Sequence, residues 1–158
     1  MQRKLKLNRM ILGELLLGSL SIFGVPLMIT HKVCPIGGEK FKDSYVPQCP
    51  TNKFVMFKNE FTEEELKKYE KIINSEEYRE IPRNSNKYYY LARFYEMLGG
   101  VSDKEIGKTY FNSYHYYSEN KEIKREALQK GISYLEKAEK KDYEVMWNLA
   151  NLYSEAEE

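Results

Sequence analysis

Apolar residues are arranged along this chain in three patterns. The first is a run from Met10 to Ile29, 20 residues with one charge, Glu14. A helix of that length, rising about 1.5 Å per residue, crosses a hydrocarbon core. Its 11 Leu, Ile, Phe and Val residues favour insertion by roughly 3–7 kcal/mol, against at most about 3 kcal/mol for an acidic side chain. Glu14 stands near the start of the run, close enough to Arg9 to pair with it at the interface. Arg3, Lys4, Lys6 and Arg9 all precede the run, which predicts an N-terminus in the cytoplasm and the rest of the chain across the membrane. Ser19-Leu20-Ser21 is the only small-residue site, and it lies inside the apolar stretch. An uncleaved signal anchor is therefore the first reading, a cleaved signal peptide the second and a buried helix of a soluble protein the third.

The second pattern covers residues 31–61, where Pro35, Pro47, Pro50 and the pair Gly37-Gly38 break any periodicity. A loop-rich segment with short extended pieces is expected, Lys53 to Phe57 being the best of them.

From Thr62 the period becomes helical. Thr62 with Glu65 forms the pattern of a capping box and opens a helix predicted to reach about Asn74. Glu63, Glu64 and Glu65 occupy its first turn, where the helix dipole favours negative charge, so they read as a cap and not as acids or bases. Further helices are expected over Asn86 to Leu98, stopped by Gly99-Gly100, and over Asp103 to about Glu119 behind Ser102 and Glu105. Two more follow, from Lys121 to Lys140 and from Tyr143, capped by Asp142, to near the end. Five helices with short breaks imply antiparallel neighbours. Tyr88, Leu91, Ala92 and Tyr95 share one face, and Met146, Leu149, Ala150 and Tyr153 repeat that spacing 58 residues later. Ala92 and Ala150, small residues between large ones, are expected where a neighbouring helix crosses.

The fold class that emerges is mainly α, in three parts. Residues 1–30 form the anchor or signal, residues 31–61 the Cys-Pro segment, and residues 62–158 a helical-hairpin domain. Composition agrees: 14 Tyr and 7 Phe among 158 residues belong to a packed domain and not to a disordered chain. Charge adds one exclusion. Beyond the four leading cations, 21 basic residues face 24 acidic ones, so the remainder is slightly acidic and carries no nucleic-acid footprint.

Cys34 and Cys49 are the only thiols. Outside the cytoplasm a disulfide between them closes a loop of 15 residues and is worth roughly 3 kcal/mol. Two free buried thiols, or a metal or redox pair using His31, Cys34 and Cys49, are the other readings. Structural zinc wants four ligands, and the sequence offers no fourth nearby.

Two resemblances accompany these residues. Cys34-Pro35-Ile36-Gly37-Gly38-Glu39-Lys40-Phe41, Cys49-Pro50, Phe54-Val55-Met56-Phe57-Lys58 and Phe61 to Leu66 together resemble the start of an uncharacterised family of bacterial proteins, one that implies no activity. The same start is similar to a zinc ribbon that has lost the second cysteine of each knuckle, with Gly37 in one vacated place. Farther on, Tyr90-Leu91-Ala92-Arg93-Phe94-Tyr95, Gly99-Gly100-Val101, Asp103 and Lys108 to Tyr110 resemble a Sel1-like or tetratricopeptide unit. Tyr134 to Ala138 with Trp147 to Tyr153 resembles the end of one unit and the start of the next. The resemblance implies helical hairpins and a protein-binding role. The offset of 58 residues exceeds one repeat of about 34 to 40, so the array is irregular.

Catalytic constellations are not visible. His31 and His115 are the only histidines, nothing organises a nucleophile beside them, and neither glycine pair stands between a strand and a helix. The expectation is a non-catalytic module without cofactor or metal, anchored in the inner membrane or exported to the periplasm. Its partner would be another envelope protein or peptide, with a homo-oligomer also possible. The expected interaction face comprises Tyr89, Tyr110, Tyr114, Tyr117 and Trp147, because tyrosine and tryptophan supply rigid, amphipathic contact area. An envelope thiol or metal protein, or an enzyme, using Cys34 and Cys49 is the alternative.

Overall fold

The computed structural model describes residues 30–157 except 44, 117 and 140. The apolar run 10–29 lies outside the described residues, and among those residues no helix is long and apolar enough to cross a membrane.

The described chain opens with a hairpin. Strands β1 (Thr30–Val33) and β2 (Lys40–Asp43) pair antiparallel, with His31 opposite Lys42 and Val33 opposite Lys40. Between them Cys34 N donates to Glu39 O at 2.8 Å and Gly38 N to Cys34 O at 3.1 Å, a turn that takes Gly37 and Gly38 through φ of +97° and +72°. The same pattern recurs 15 residues on. Cys49 N donates to Phe54 O at 2.8 Å and Lys53 N to Cys49 O at 3.0 Å, here with Lys53 at φ +62°. A left-handed lysine costs about 1–2 kcal/mol. Its carbonyl accepts from both Tyr78 Oη at 2.9 Å and Gln48 Nε2 at 3.1 Å, which holds the conformation. The expected extended piece from Lys53 to Phe57 is thus a turn followed by a single bridge, Val55 to Gln48. The two strands lie earlier, at residues where sequence alternation is too short to stand out.

Six helices follow: α1 (Glu63–Ile73), α2 (Glu76–Arg79), α3 (Lys87–Leu98), α4 (Asp103–His115), α5 (Lys121–Lys137) and α6 (Tyr143–Ala156). The fold is mainly α. Thr62 and Glu65 exchange both hydrogen bonds of a capping box, whereas Ser102 caps α4 through its own hydroxyl, which accepts from Glu105 N. Asn86, Asn120 and Asp142 cap α3, α5 and α6 in the same way. The four-residue α2, capped by Ser75, was not expected. It is too short to show a period; the Ser75 hydroxyl accepts from Tyr78 N at its start, and Tyr78 is buried.

One core joins the Cys-Pro segment to the helices. Phe54, fully buried, meets Tyr69 of α1 and Phe94 of α3 at 6.0 and 5.7 Å, and Tyr69 meets Phe94 edge-on at 5.2 Å. Such pairs add about 0.5–1.5 kcal/mol each beyond burial. Farther along, α4, α5 and α6 run up, down and up. Gly107 of α4 lies against Leu135 of α5, and Gly131 of α5 against Leu152 of α6. Lys104 bridges α4 to Asp142 and Glu144 at 2.7 and 2.9 Å, and Lys108 reaches Glu144 at 2.7 Å, which fixes the start of α6.

Ala92 is fully buried, as expected of a crossing position, but Ala150 is exposed. The repeated pattern thus has opposite fates. In α3 Leu91, Ala92 and Tyr95 face the core, while in α6 the core is met by Val145, Asn148 and Leu152. The helix is turned so that Met146, Ala150 and Tyr153 face outward.

Candidate functional site

The outer face of α6 is the least satisfied surface of the described residues. Val145, Asn148 and Leu152 recur at three- and four-residue spacing and define the inner stripe. On the opposite side lie Tyr143, Met146, Trp147 and Tyr153, exposed by 79, 55, 51 and 42%. These are large residues on consecutive turns, and Ala150 sits among them with almost no side chain. The Trp147 ring rests 5.6 Å from Phe111 of α4, and its carbonyl accepts from Asn151 Nδ2 at 2.7 Å. Tyr153 donates its hydroxyl to Glu136 of α5. Trp147 and Tyr153 therefore lean toward different neighbouring helices, α4 and α5, with the exposed Ala150 between them on the same face.

Of the four described residues among the five expected to form the interaction face, Trp147 lies at the surface. Tyr89, Tyr110 and Tyr114 are 4, 0 and 8% exposed, which corrects the expectation for all three. Tyr117 lies outside the described residues. The physical reason is a network between α3, α4 and α5. Tyr110 stacks on Tyr134 at 6.1 Å and meets Tyr89 edge-on at 6.1 Å. Above them Glu96 accepts from Tyr134 Oη at 3.0 Å and pairs with Arg93 at 3.3 Å and Lys130 at 3.1 Å. Burial, with the Glu96 carboxylate beside it, pushes the Tyr110 hydroxyl far above the ordinary phenol range. Tyr114 donates to Glu155 at 2.7 Å and lies under Lys124 Nζ at 4.7 Å. These tyrosines thus act as core aromatics with polar tips.

Cys34 and Cys49, 1 and 0% exposed, stand at bonding distance, their Sγ atoms 2.15 Å apart and their Cα atoms 5.6 Å apart. The two similar turns deliver them to each other. Gly37 and Asn52 occupy the places three residues after each cysteine, and neither supplies a metal ligand. No group of three metal-binding side chains is assembled among the described residues. His115 is exposed, its ring packed on Phe111 at 4.4 Å, and His31 is exposed on β1.

Comparisons with protein-family models, curated proteins and solved structures found no match. What the arrangement can do therefore rests on its own geometry. It offers an exposed apolar helix face, with ion pairs at its start, together with a buried cysteine pair.

Missed from sequence were Gly107 and Gly131, the true close-approach residues, and the outward rotation of α6. A signal for the glycines was present. Each stands inside a helix, where it costs about 1 kcal/mol relative to alanine and so asks for a packing reason.

Proposed function

We propose that this protein is a non-catalytic interaction module whose α6 outer face receives a helix of another envelope protein. The observation that carries the reading is the exposure of Tyr143, Met146, Trp147 and Tyr153 on the side of α6 opposite its core stripe. An apolar stripe of four large side chains on one helix is costly to leave in water and has the spacing of a helix-in-groove anchor. Trp147, half-buried against Phe111 and half-exposed, is the expected centre, since tryptophan dominates such contacts.

The up-down-up packing of α4, α5 and α6 supports reading the domain as an irregular array of Sel1-like or tetratricopeptide hairpins. In that reading the α6 face is where a further helix would stack. Residues 10–29 anchor the chain in the inner membrane, with the domain in the periplasm, or direct its export if they are removed. Cys34 and Cys49 then form a disulfide that staples the domain in an oxidising compartment.

The test is Trp147→Glu in the full chain. It should melt within a few degrees of the parent, because the side chain is half in solvent, and it should lose capture of the partner from membranes. Capture undiminished by Trp147→Glu contradicts this reading.

A further inference from the structure

The β1–β2 hairpin carries a face that the α6 reading does not use. Its register sets His31 opposite Lys42 and Val33 opposite Lys40, and strand alternation puts these four side chains on one side. All four are exposed, whereas Thr30, Lys32, Phe41 and Asp43 on the other side are half-buried. Lys40 and Lys42 form no ion pair with a carboxylate among the described residues. The two acidic residues of the hairpin are engaged elsewhere. Glu39 accepts from Thr51 N at 3.2 Å and from Thr51 Oγ1 at 3.0 Å, and Asp43 Oδ2 accepts from Gln48 N at 2.9 Å. The outer face therefore presents two lysines, a histidine and a valine, with no acidic side chain among them.

Three further observations bear on what covers this face. The first is its place in the chain, because β1 starts at Thr30, the residue that follows the apolar run 10–29. At about 3.3 Å per residue, the His31–Lys42 pair stands about 7 Å along the strands from the end of the run, and the Val33–Lys40 pair about 13 Å. Both distances fall within the headgroup layer, about 5–7 Å deep, and the Debye length of about 8 Å beyond it. The second is Tyr45, which is 90% exposed. It shares a groove with Thr30 and Lys32, so it sits close to where the chain leaves the run. A tyrosine there, with an apolar body and a polar tip, fits the aromatic belt of a bilayer interface. The third is charge polarity. Residues 30–61 hold 5 lysines against 3 acidic residues, while residues 62–158 hold 16 basic residues against 20 acidic ones. The basic part of the domain is the part next to the run.

We propose that the hairpin seats the domain on the bilayer, its face of His31, Val33, Lys40 and Lys42 lying on anionic phospholipid headgroups and Tyr45 entering the interfacial layer. Lysine ammonium groups are attracted to the headgroup phosphates, while Val33 and Tyr45 gain by leaving water. That combination favours an interface over both bulk water and hydrocarbon. A second contact besides the span holds the domain at one orientation to the membrane. The proposal rests on the reading of residues 10–29 as an anchor and is independent of the α6 surface.

The test places the full chain in nanodiscs of phosphatidylcholine, with or without phosphatidylglycerol, that contain a lipid spin-labelled on its headgroup. With phosphatidylglycerol present, the amide resonances of Val33, Lys40, Lys42 and Tyr45 should lose more than about half their intensity. Those of Met146 and Asn151, on α6, should keep theirs. Omitting phosphatidylglycerol, or combining Lys40→Glu with Lys42→Glu, should at least halve the loss at Val33 and Tyr45. Neither should change the loss at Thr30, which reports the anchor alone. Both lysines are exposed, so the double variant should melt with the parent. Strong loss at Thr30 with none at Lys40, Lys42 and Tyr45 overturns the seating and leaves the anchor standing. A chain that does not enter the discs overturns the anchor reading and this proposal with it. Changes at Lys40 and Lys42 that follow the number of chains per disc, and not the lipid, identify a second copy as the occupant and overturn the lipid assignment, as does equal loss at Met146.

Discussion

Gly107 on α4 lies so close to Leu135 on α5 that a Cβ placed on it would stand 2.7 Å from Leu135 Cγ and 3.0 Å from the Leu135 backbone nitrogen. The side-chain contact can be relieved by a rotamer change, but the backbone contact cannot. Gly107→Ala gains about 1 kcal/mol of helix propensity and incurs an overpacking penalty of about 1–3 kcal/mol. A net loss of about 1 kcal/mol in urea denaturation is predicted. Gly131→Ala is the control. Its Cβ would crowd the flexible tip of Leu152, Cδ1 at 2.8 Å, and reach Tyr110 Cβ at 3.5 Å and Phe111 N at 3.6 Å in ordinary contact, so stability should stay within about 0.5 kcal/mol.

Reducing the Cys34–Cys49 pair should cost stability in proportion to the loop it closes. A separation of 15 residues corresponds to about 3 kcal/mol in the chain-entropy model. Melting should therefore fall by on the order of 10 °C on reduction. The intact chain should weigh two hydrogens less than the reduced one. Bound zinc with two free thiols would contradict both expectations.

The paired alanines now separate cleanly. Ala92→Leu should destabilise by about 1–3 kcal/mol, because Ala92 has no free surface. Ala150→Leu should leave stability unchanged within about 0.5 kcal/mol, because Ala150 is exposed, while adding bulk to the outer face between Trp147 and Tyr153. Thermal melting of the two variants beside a binding assay checks this directly.

That separation shows where the sequence is legible. Helix starts were readable because caps are local. Thr62, Asn86, Ser102 and Asp142 each announce a helix to their own next three residues. The face a helix buries was not readable for α6, because Tyr143 to Tyr153 is apolar on both sides and period alone leaves two candidate stripes. Packing of Leu152 against Gly131 of α5 selects between them, and that partner lies on a separate helix about 20 residues earlier in the chain. The tyrosines misled for a similar reason. Tyr89 and Tyr110 look amphipathic enough for a surface, and only the long-range packing of α3, α4 and α5, which sets Tyr110 between Tyr89 and Tyr134, buries them.

Stability should fall at both ends of the pH scale. A hydrogen bond from Lys58 at 2.5 Å holds the Glu65 carboxyl below its ordinary range, and Lys104 and Lys108 do the same for Asp142 and Glu144. Carboxyls depressed in the folded state stabilise it above the unfolded range of about 4 and lose that contribution as pH falls through the folded values. Burial, with Glu105 nearby, pushes Tyr95 up to about 12. A phenol raised in the folded state contributes fully below about 10 and loses its contribution as pH climbs toward the folded value. Urea midpoints should be level from about pH 5 to 9 and decline outside that window. Added salt should shrink the acidic decline, because those pairs are exposed.

The α6 surface itself is tested most directly by a photo-crosslinking residue at Met146 of the full chain in the cells that make it, with Gln129 on the exposed side of α5 as the control position. The account predicts one discrete protein adduct from position 146, absent from position 129 and abolished by Trp147→Glu. An adduct at the mass of a second copy of this chain would identify the occupant as the chain itself. No adduct from position 146, or the same adducts from both positions, would contradict the assignment of α6 as the docking face.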